Sequence, residues 1–242
     1  MILVGDDSQD ARVLAGLLAR ATDGTVVPWP DAVADALKRG HPGLVVVRGS
    51  RRGAGARETV QLVRNAPCPV AVAPPGFGER APSAIHRVGV AFDGWNDSRV
   101  ALAEAAAVVE GCGGELVLLM VGSPSTAASA AAWDLDPDAL SGHRAAADRY
   151  LRYVADDLSP RIATRARALY GQVAPALWDA CAAEHLDLLT LGSRRRGPVG
   201  SVVLGSVGHA LLREPPPCPL LICPRGVAPP RETAPLAEAG AG

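Results

Sequence analysis

The sequence predicts an α/β fold made of two doubly wound units, each with a parallel sheet. Short apolar runs alternate with helical patterns along the chain, which is typical of parallel strands joined by helices. Several of these runs are continuously apolar, as in strands buried on both faces. Short sequence segments in the early part of the chain also recur later, so the same structural unit is present twice.

Three pairs of similar segments carry the repeat. Residues 65–76 resemble residues 215–226, and residues 45–52 resemble residues 188–195. Near the start of each unit, Asp10-Ala-Arg-Val resembles Asp97-Ser-Arg-Val. The offset between paired segments grows from 87 to 143 and then to 150 residues, so the first copy lacks 56 residues in one stretch and 7 in another.

The later unit contains five predicted strands with helices between them. A Ser- and Ala-rich segment separates the second strand from the long second helix. Asp97 or Ser98 is the predicted N-cap of the first helix. The predicted strands cover residues 88–93, 113–121, 165–170, 186–191 and 219–223, and the predicted helices cover about 98–110, 138–158, 173–185 and 206–213.

The earlier unit contains four predicted strands, at residues 2–5, 25–28, 44–47 and 70–73. The 56 missing residues match the second strand and second helix of the later copy, so we expect the first unit to lack that pair. The predicted boundaries are a reduced domain at 1–75 (the first half), a linker at 76–87, a complete domain at 88–226 (the second half) and a disordered tail at 227–242.

Composition and charge limit the possible partners and cellular locations of the protein. The 242 residues carry a formal net charge of −1, which argues against nucleic acid or an anionic membrane surface as partner. We expect no transmembrane helix, because no window of 18 apolar residues occurs, and no signal peptide, because the N-terminus lacks a basic region. The five cysteines include no CxxC pair, which favours a reducing compartment and a cytoplasmic location.

A glycine-rich segment at residues 192–207 follows the fourth strand of the second half and opens a helix. Glycines let the backbone approach a ligand closely, and backbone N–H groups at a helix start attract anions. Ligands of open parallel sheets bind beyond the carboxyl ends of the strands, where the strand order reverses. Asp93, at the end of the first strand of this half, is therefore expected near this segment.

The segment resembles the signature of the universal stress protein family, Gly-x2-Gly-x9-Gly-Ser/Thr. Its first glycine falls on Gly192 and its last pair on Gly205 and Ser206. The aspartate that ends the first strand and the Cys-Pro before the last strand also match. The resemblance implies a five-stranded parallel sheet of order 3-2-1-4-5. It also implies dimerisation through the last strand, and some family members bind ATP whereas others keep the fold without nucleotide.

Carried over by position, the resemblance implies a nucleotide site in the second half. Asp93 would accept hydrogen bonds from the ribose hydroxyls, Val121 would touch the base, and Ser206 would bind phosphate, with Mg²⁺ accompanying ATP. Arg194 and Arg195 would add positive charge beside the phosphates. The full set is Ala91, Phe92, Asp93, Val121, Leu191, Gly192, Arg194, Arg195, Gly205, Ser206 and Val207.

Two departures from the family pattern bear on nucleotide binding. Arg195 stands where the signature has its second glycine, and its side chain crowds the expected phosphate position, although Gly197 follows two residues later. In the first half, Gly49 and Gly55 match glycines of the signature, but Ala56-Arg57 replaces its Ser-Val pair. We therefore predict that the first half binds no nucleotide.

Three functions remain open at this stage. The main hypothesis is a stress-response protein whose second half senses adenine nucleotide. The alternatives are an interaction scaffold with the same fold and no ligand, and a weak ATPase. No pattern of catalytic or metal-ligating residues emerges, which disfavours the enzyme. We also expect residues 69–73 to dock against residues 219–223 as an internal pseudo-dimer; further pairing into a homodimer, or with another protein, stays open.

Overall fold

The computed structural model describes residues 2–4, 8–27, 43–50, 54–94, 96–122, 137–193, 206–213 and 216–224. Strands and helices alternate along these residues, and all nine predicted strands are present. The strands are β1 (Ile2–Val4), β2 (Val26–Val27), β3 (Leu44–Arg48), β4 (Val70–Ala73), β5 (Arg87–Ala91), β6 (Glu115–Gly122), β7 (Ala163–Tyr170), β8 (Leu188–Ser193) and β9 (Leu220–Pro224).

Among the described residues, seven helices connect the strands. They are α1 (Gln9–Thr22), α2 (Ala54–Asn65), α3 (Phe77–Arg80), α4 (Asn96–Cys112), α5 (Pro137–Asp156), α6 (Val173–Ala183) and α7 (Ser206–Arg213). Helix α4 begins at Asn96, so Asp97 and Ser98 lie in its first turn and neither is the N-cap that we predicted. Within the described part of the chain, no helix has the length and apolar character needed to cross a membrane.

The second half forms the predicted parallel sheet. Its strands lie side by side in the order β7-β6-β5-β8-β9, which is 3-2-1-4-5 when they are numbered along this half. Strand β5 is in the middle, between β6 and β8, and all neighbours in this group are parallel. The strand order therefore reverses between β5 and β8, which is where a doubly wound sheet opens a crevice for a ligand.

The first half repeats four of these five strand positions. Its strands are parallel in the order β2-β1-β3-β4, so β2 lies beside β1 as β6 lies beside β5. Within the described residues, the position without a counterpart is that of β7, the edge strand. We assigned the missing 56 residues to the second strand, and this assignment is wrong, because β2 occupies the position of the second strand. Sequence offsets show how many residues are absent, but they do not show which strand the remaining one pairs with.

Strands β4 and β9 join the two halves into one nine-stranded sheet. They pair antiparallel, with Val70 opposite Ile222 and Val72 opposite Leu220. Every residue of both strands is buried. The two segments that we expected to dock are therefore paired through backbone hydrogen bonds, which leaves neither of them as an open sheet edge.

Each face of this sheet carries one hydrophobic core that includes residues of both halves. On one face, Leu14 of α1 and Val108 of α4 belong to the same cluster, and α1 packs against α4. On the other face, Val63 of α2 and Leu211 of α7 share a second cluster, and α2 packs against α7. Burial of apolar surface on both faces thus stabilises the β4–β9 junction.

Candidate functional site

The candidate site lies at the carboxyl ends of β5, β6 and β8. Ala91, the last residue of β5, pairs in register with Leu191 of β8 on one side and with Leu119 of β6 on the other. Val121 follows Leu119 by two residues and therefore points to the same face of the sheet. The fold thus brings together three strand ends that are distant in the sequence.

Four of the predicted site residues share one face of the sheet. Leu191 is buried in the core beneath α6 and α7, and the half-buried side chains of Ala91, Val121 and Val207 pack against the same cluster. Val207 lies in the first turn of α7, directly after Ser206, the first residue of that helix. Together they form an apolar floor beside a helix start. Arg194, Arg195 and Gly205 lie outside the described residues.

Phe92 lies beside this group but directs its ring to the opposite face. Its backbone N–H donates to the carbonyl oxygen of Leu119 at 2.8 Å, which extends the β5–β6 pairing by one residue. Its side chain is only 3% exposed and belongs to the core beneath α4 and α5. There it stacks on Tyr150 of α5, with ring centroids 6.2 Å apart and an interplanar angle of 28°.

Asp93 follows Phe92 and is exposed at the carboxyl end of β5. The next residue, Gly94, has a φ of 82°, in the left-handed region that favours glycine. The chain therefore turns sharply after Asp93 before α4 begins at Asn96. Asp93 is thus exposed at the strand end, where the family resemblance predicts a ribose contact.

Gly192 of β8 lies directly against the start of α4. A Cβ atom on Gly192 would overlap the carbonyl group of Asp97 and would lie 3.0 Å from the backbone nitrogen of Ser98. The side chains of Asp97 and Ser98 are themselves buried. A glycine is therefore required here so that the end of β8 and the first turn of α4 can approach each other at the point where the strand order reverses.

Burial dominates the electrostatics next to Gly192. Cys223 of β9 pairs in register with Gly192 and is fully buried. Burial raises the pKa of the Cys223 thiol well above its usual value, and the negative charge of Glu104 raises it further. Burial also raises the pKa of the Glu104 carboxyl. The Cys223 thiol is therefore protonated at neutral pH and is a poor nucleophile.

Asp10 in the first half is the counterpart of Asp97 in the repeat, and it binds the segment that follows β4. Its carboxylate accepts hydrogen bonds from the backbone N–H groups of Gly76, at 3.0 Å, and Gly78, at 2.7 Å. The guanidinium of Arg48, at the end of β3, pairs with the same carboxylate at 3.1 Å. Phe77, between the two glycines, is buried against α1. Asp10 thus joins the start of α1 to the end of β3 and to the segment after β4.

Sequence reasoning missed two of these contacts. The stacking of Tyr150 on Phe92 joins residues from α5 and the end of β5, and no short motif links them. The contact of Asp10 with Gly76 spans 66 residues. The one sequence feature that pointed to Asp10 was the similarity between the segments that begin at Asp10 and Asp97. This similarity indicates that the two residues have equivalent positions, but it does not predict which residues bind Asp10.

The described residues contain no group of three or more His, Cys, Asp or Glu side chains that could hold a metal ion.

Comparisons with known proteins agree with this architecture. Residues 84–224 match the profile of the universal stress protein family. A universal stress protein from Archaeoglobus fulgidus DSM 4304 aligns with a TM-score of 0.58 and 21% identity, over 89% of this chain and 77% of its own. A functionally unknown protein from Pseudomonas aeruginosa PAO1 aligns with a TM-score of 0.56 and 13% identity, over 92% and 80%.

A universal stress protein solved in complex with cAMP aligns with a TM-score of 0.37 and 20% identity, over 58% of this chain and 98% of its own. A search of curated proteins finds no match.

The fold and the position of the site define a doubly wound α/β protein with its candidate site at the strand-order reversal of the second half. The family match covers more than half of the chain. The protein belongs to the universal stress protein family.

Proposed function

We propose that the second half binds an adenine nucleotide, ATP with Mg²⁺, and that the protein acts as a nucleotide-sensing module in the cytoplasmic stress response. The observation that carries this proposal is the convergence of Ala91, Val121 and Leu191 with the start of α7 on one face of the sheet. An apolar floor beside a helix start suits a ligand that joins a flat base to a polyphosphate.

Each part of the site has a proposed role. The half-buried side chains of Ala91 and Val121 contact the base, with the buried Leu191 beneath them, and the exposed carboxylate of Asp93 accepts hydrogen bonds from the ribose hydroxyls. The phosphates lie at the N-terminus of α7, where Ser206 and Val207 offer backbone N–H groups and the helix dipole favours negative charge. The neighbouring Arg194 and Arg195 add positive charge.

We propose a stoichiometry of one nucleotide per chain, with the site in the second half. In the first half, Ala56-Arg57 replaces the Ser-Val pair of the signature, so this half lacks the hydroxyl that is predicted to bind phosphate.

We propose the interaction scaffold as the second candidate function. Arg195, at the signature's second glycine position, favours this alternative because a side chain there would crowd the phosphates. A scaffold of this fold would act through its surface and would carry no nucleotide.

Freshly purified protein is expected to release about one ATP per chain when it is denatured, and the stripped protein is expected to bind Mg-ATP. Asp93→Asn should weaken binding about tenfold, because an amide cannot replace a carboxylate as acceptor for two ribose hydroxyls. Mass spectrometry of the released nucleotide and calorimetric titration measure both effects. Asp157→Asn, an exposed aspartate after α5, is the matched control and should bind like the wild type.

Gly205→Asp introduces a negative charge where the phosphates are expected and should abolish binding. Absence of released nucleotide, together with no binding at millimolar Mg-ATP, would contradict the nucleotide proposal and leave the scaffold as the function. Release of phosphate from ATP above the level of the Gly205→Asp variant would instead indicate an ATPase.

We further propose that residues 1–75 and 88–226 are two domains of one tandem protein, whose β4–β9 pairing replaces the contact that family members make between chains. Without the first half, β9 would be an exposed apolar edge strand. A fragment that begins at residue 84 is therefore expected to self-associate, whereas the full chain stays at 24.8 kDa. Light scattering after gel filtration measures both masses, and a monomeric, soluble fragment would contradict this proposal.

A further inference from the structure

We infer that Tyr150 is a positioning residue, which holds Asp93 in the orientation that binds the ribose hydroxyls. The inference rests on the proposed nucleotide site and adds a residue from α5, a helix that carries none of the site residues assigned from the sequence. Tyr150 acts through Asp93 and is not itself assigned a contact with the nucleotide.

Tyr150 contacts the chain on both sides of Asp93. Its ring stacks on the ring of Phe92, the residue before Asp93. Its hydroxyl reaches Gly94, the residue after Asp93, because a Cβ atom on Gly94 would lie 3.0 Å from the hydroxyl oxygen. One side chain therefore packs against both ends of the short turn that presents the carboxylate.

The packing of Tyr150 acts on a turn that contains a residue of high conformational freedom. Phe92 is anchored by its backbone hydrogen bond to Leu119, but the next residue, Asp93, is exposed and Gly94 is a residue of high conformational freedom. A turn that is already ordered loses less conformational entropy when a ligand binds. The packing of Tyr150 is thus expected to improve the hydrogen bonds that Asp93 makes.

A second tyrosine on the same helix provides a matched control. Tyr153 lies three residues after Tyr150 and is 63% exposed, whereas Tyr150 is 36% exposed. No ring stacking involves Tyr153 among the described residues. Substitution of Tyr153 therefore changes the same helix and the same residue type without touching the turn.

The test compares Mg-ATP with Mg-2′,3′-dideoxy-ATP, which lacks both ribose hydroxyls. The ratio of the two dissociation constants reports the contribution of the hydroxyl contacts, since the base and the phosphates are the same. A general loosening of the protein weakens both nucleotides alike and leaves this ratio unchanged. The full chain is used throughout, and thermal unfolding confirms that each variant is folded.

The wild type is expected to prefer ATP by about tenfold, the range of one or two hydrogen bonds to a charged acceptor. Tyr150→Leu removes both contacts with the turn and should reduce this preference to about twofold. Tyr150→Phe keeps the stacking on Phe92 and should keep most of the preference. Tyr153→Leu should behave like the wild type.

The outcomes separate this inference from the proposed function. If the wild type binds neither nucleotide, the proposed function fails. If the wild type binds ATP but Tyr150→Leu keeps the tenfold preference, the inference is overturned and the nucleotide site stands. The inference is also overturned if the wild type binds both nucleotides equally, because Asp93 then makes no ribose contact for Tyr150 to support.

Discussion

Replacement of Gly192 by alanine is expected to lower the free energy of unfolding by about 3 kcal/mol or more, at the upper end of the range for overpacked sites. The added Cβ atom would overlap the carbonyl group of Asp97 in the first turn of α4. The atoms that must move are therefore backbone atoms, and a backbone cannot change rotamer to make room.

Neither partner in this contact can move without loss of other interactions. On one side, β8 is hydrogen-bonded between β5 and β9, and the hydroxyl of Ser193 donates to the carbonyl oxygen of Cys223 at 3.3 Å. On the other side, Asp97 and Ser98 at the start of α4 are buried. A displacement of either element would open the core on that face of the sheet.

Chemical denaturation of the full chain measures the effect, with Gly16→Ala as the matched control. Gly16 lies inside α1, and a Cβ atom there would come no closer than 3.7 Å to Arg20. Alanine at position 16 should raise the free energy of unfolding by about 0.5–1 kcal/mol, because glycine is a poor helix former. A loss below 1 kcal/mol in Gly192→Ala would show that α4 and β8 can separate easily.

The same contact determines which substitutions can test nucleotide binding. Gly192 was assigned to the site from the family signature, yet its neighbourhood makes it necessary for packing in the absence of any ligand. Loss of binding in a Gly192 variant would therefore not distinguish a lost phosphate contact from a distorted sheet. The exposed Asp93 is the better probe, because its replacement by asparagine keeps size and shape.

The sequence was sufficient to predict the strands, because most are compact apolar runs between turn residues and residues 165–170 alternate between polar and apolar residues. The strand order of the second half came from the family resemblance and is confirmed. The position of β2 could not be predicted, since a run of apolar residues does not specify its neighbour. Proline and glycine similarly suggested a linker over residues 76–87, where Phe77 and Ile85 are in fact buried in the core.

Part of the candidate site could likewise be predicted from the sequence, and part could not. The strand-end residues Ala91, Val121 and Leu191 come together because parallel strands end at one edge of a sheet, which strand assignment alone implies. The direction of the Phe92 ring and its stacking on Tyr150 depend on how α5 packs on the sheet. That packing is a tertiary property, so no local pattern of residues could reveal it.

Replacement of Asp10 by alanine is expected to lower the free energy of unfolding by about 2–3 kcal/mol. The Asp10 carboxylate is the acceptor for the N–H groups of Gly76 and Gly78, and alanine would leave both donors without it. It also pairs with Arg48, whose side chain is 52% exposed against 9% for Asp10. Water can replace the carboxylate at Arg48 more easily than at the two backbone groups, so most of the loss comes from the hydrogen bonds.

Hydrogen exchange locates the effect along the chain. In the wild type, the amides of Gly76 and Gly78 should be protected, and in Asp10→Ala they should exchange much faster because their acceptor is gone. Asp10→Asn keeps one acceptor oxygen and should give an intermediate result. Glu79→Ala changes an exposed acid in the same segment and should alter neither stability nor exchange.

The two halves should respond differently to Asp10→Ala. The proposed nucleotide site is in the second half, and none of its assigned residues contacts Asp10 in the described structure. ATP affinity should therefore be unchanged while the first half loses stability. Fast exchange of Gly76 and Gly78 in the wild type would contradict the two hydrogen bonds that their N–H groups donate to Asp10.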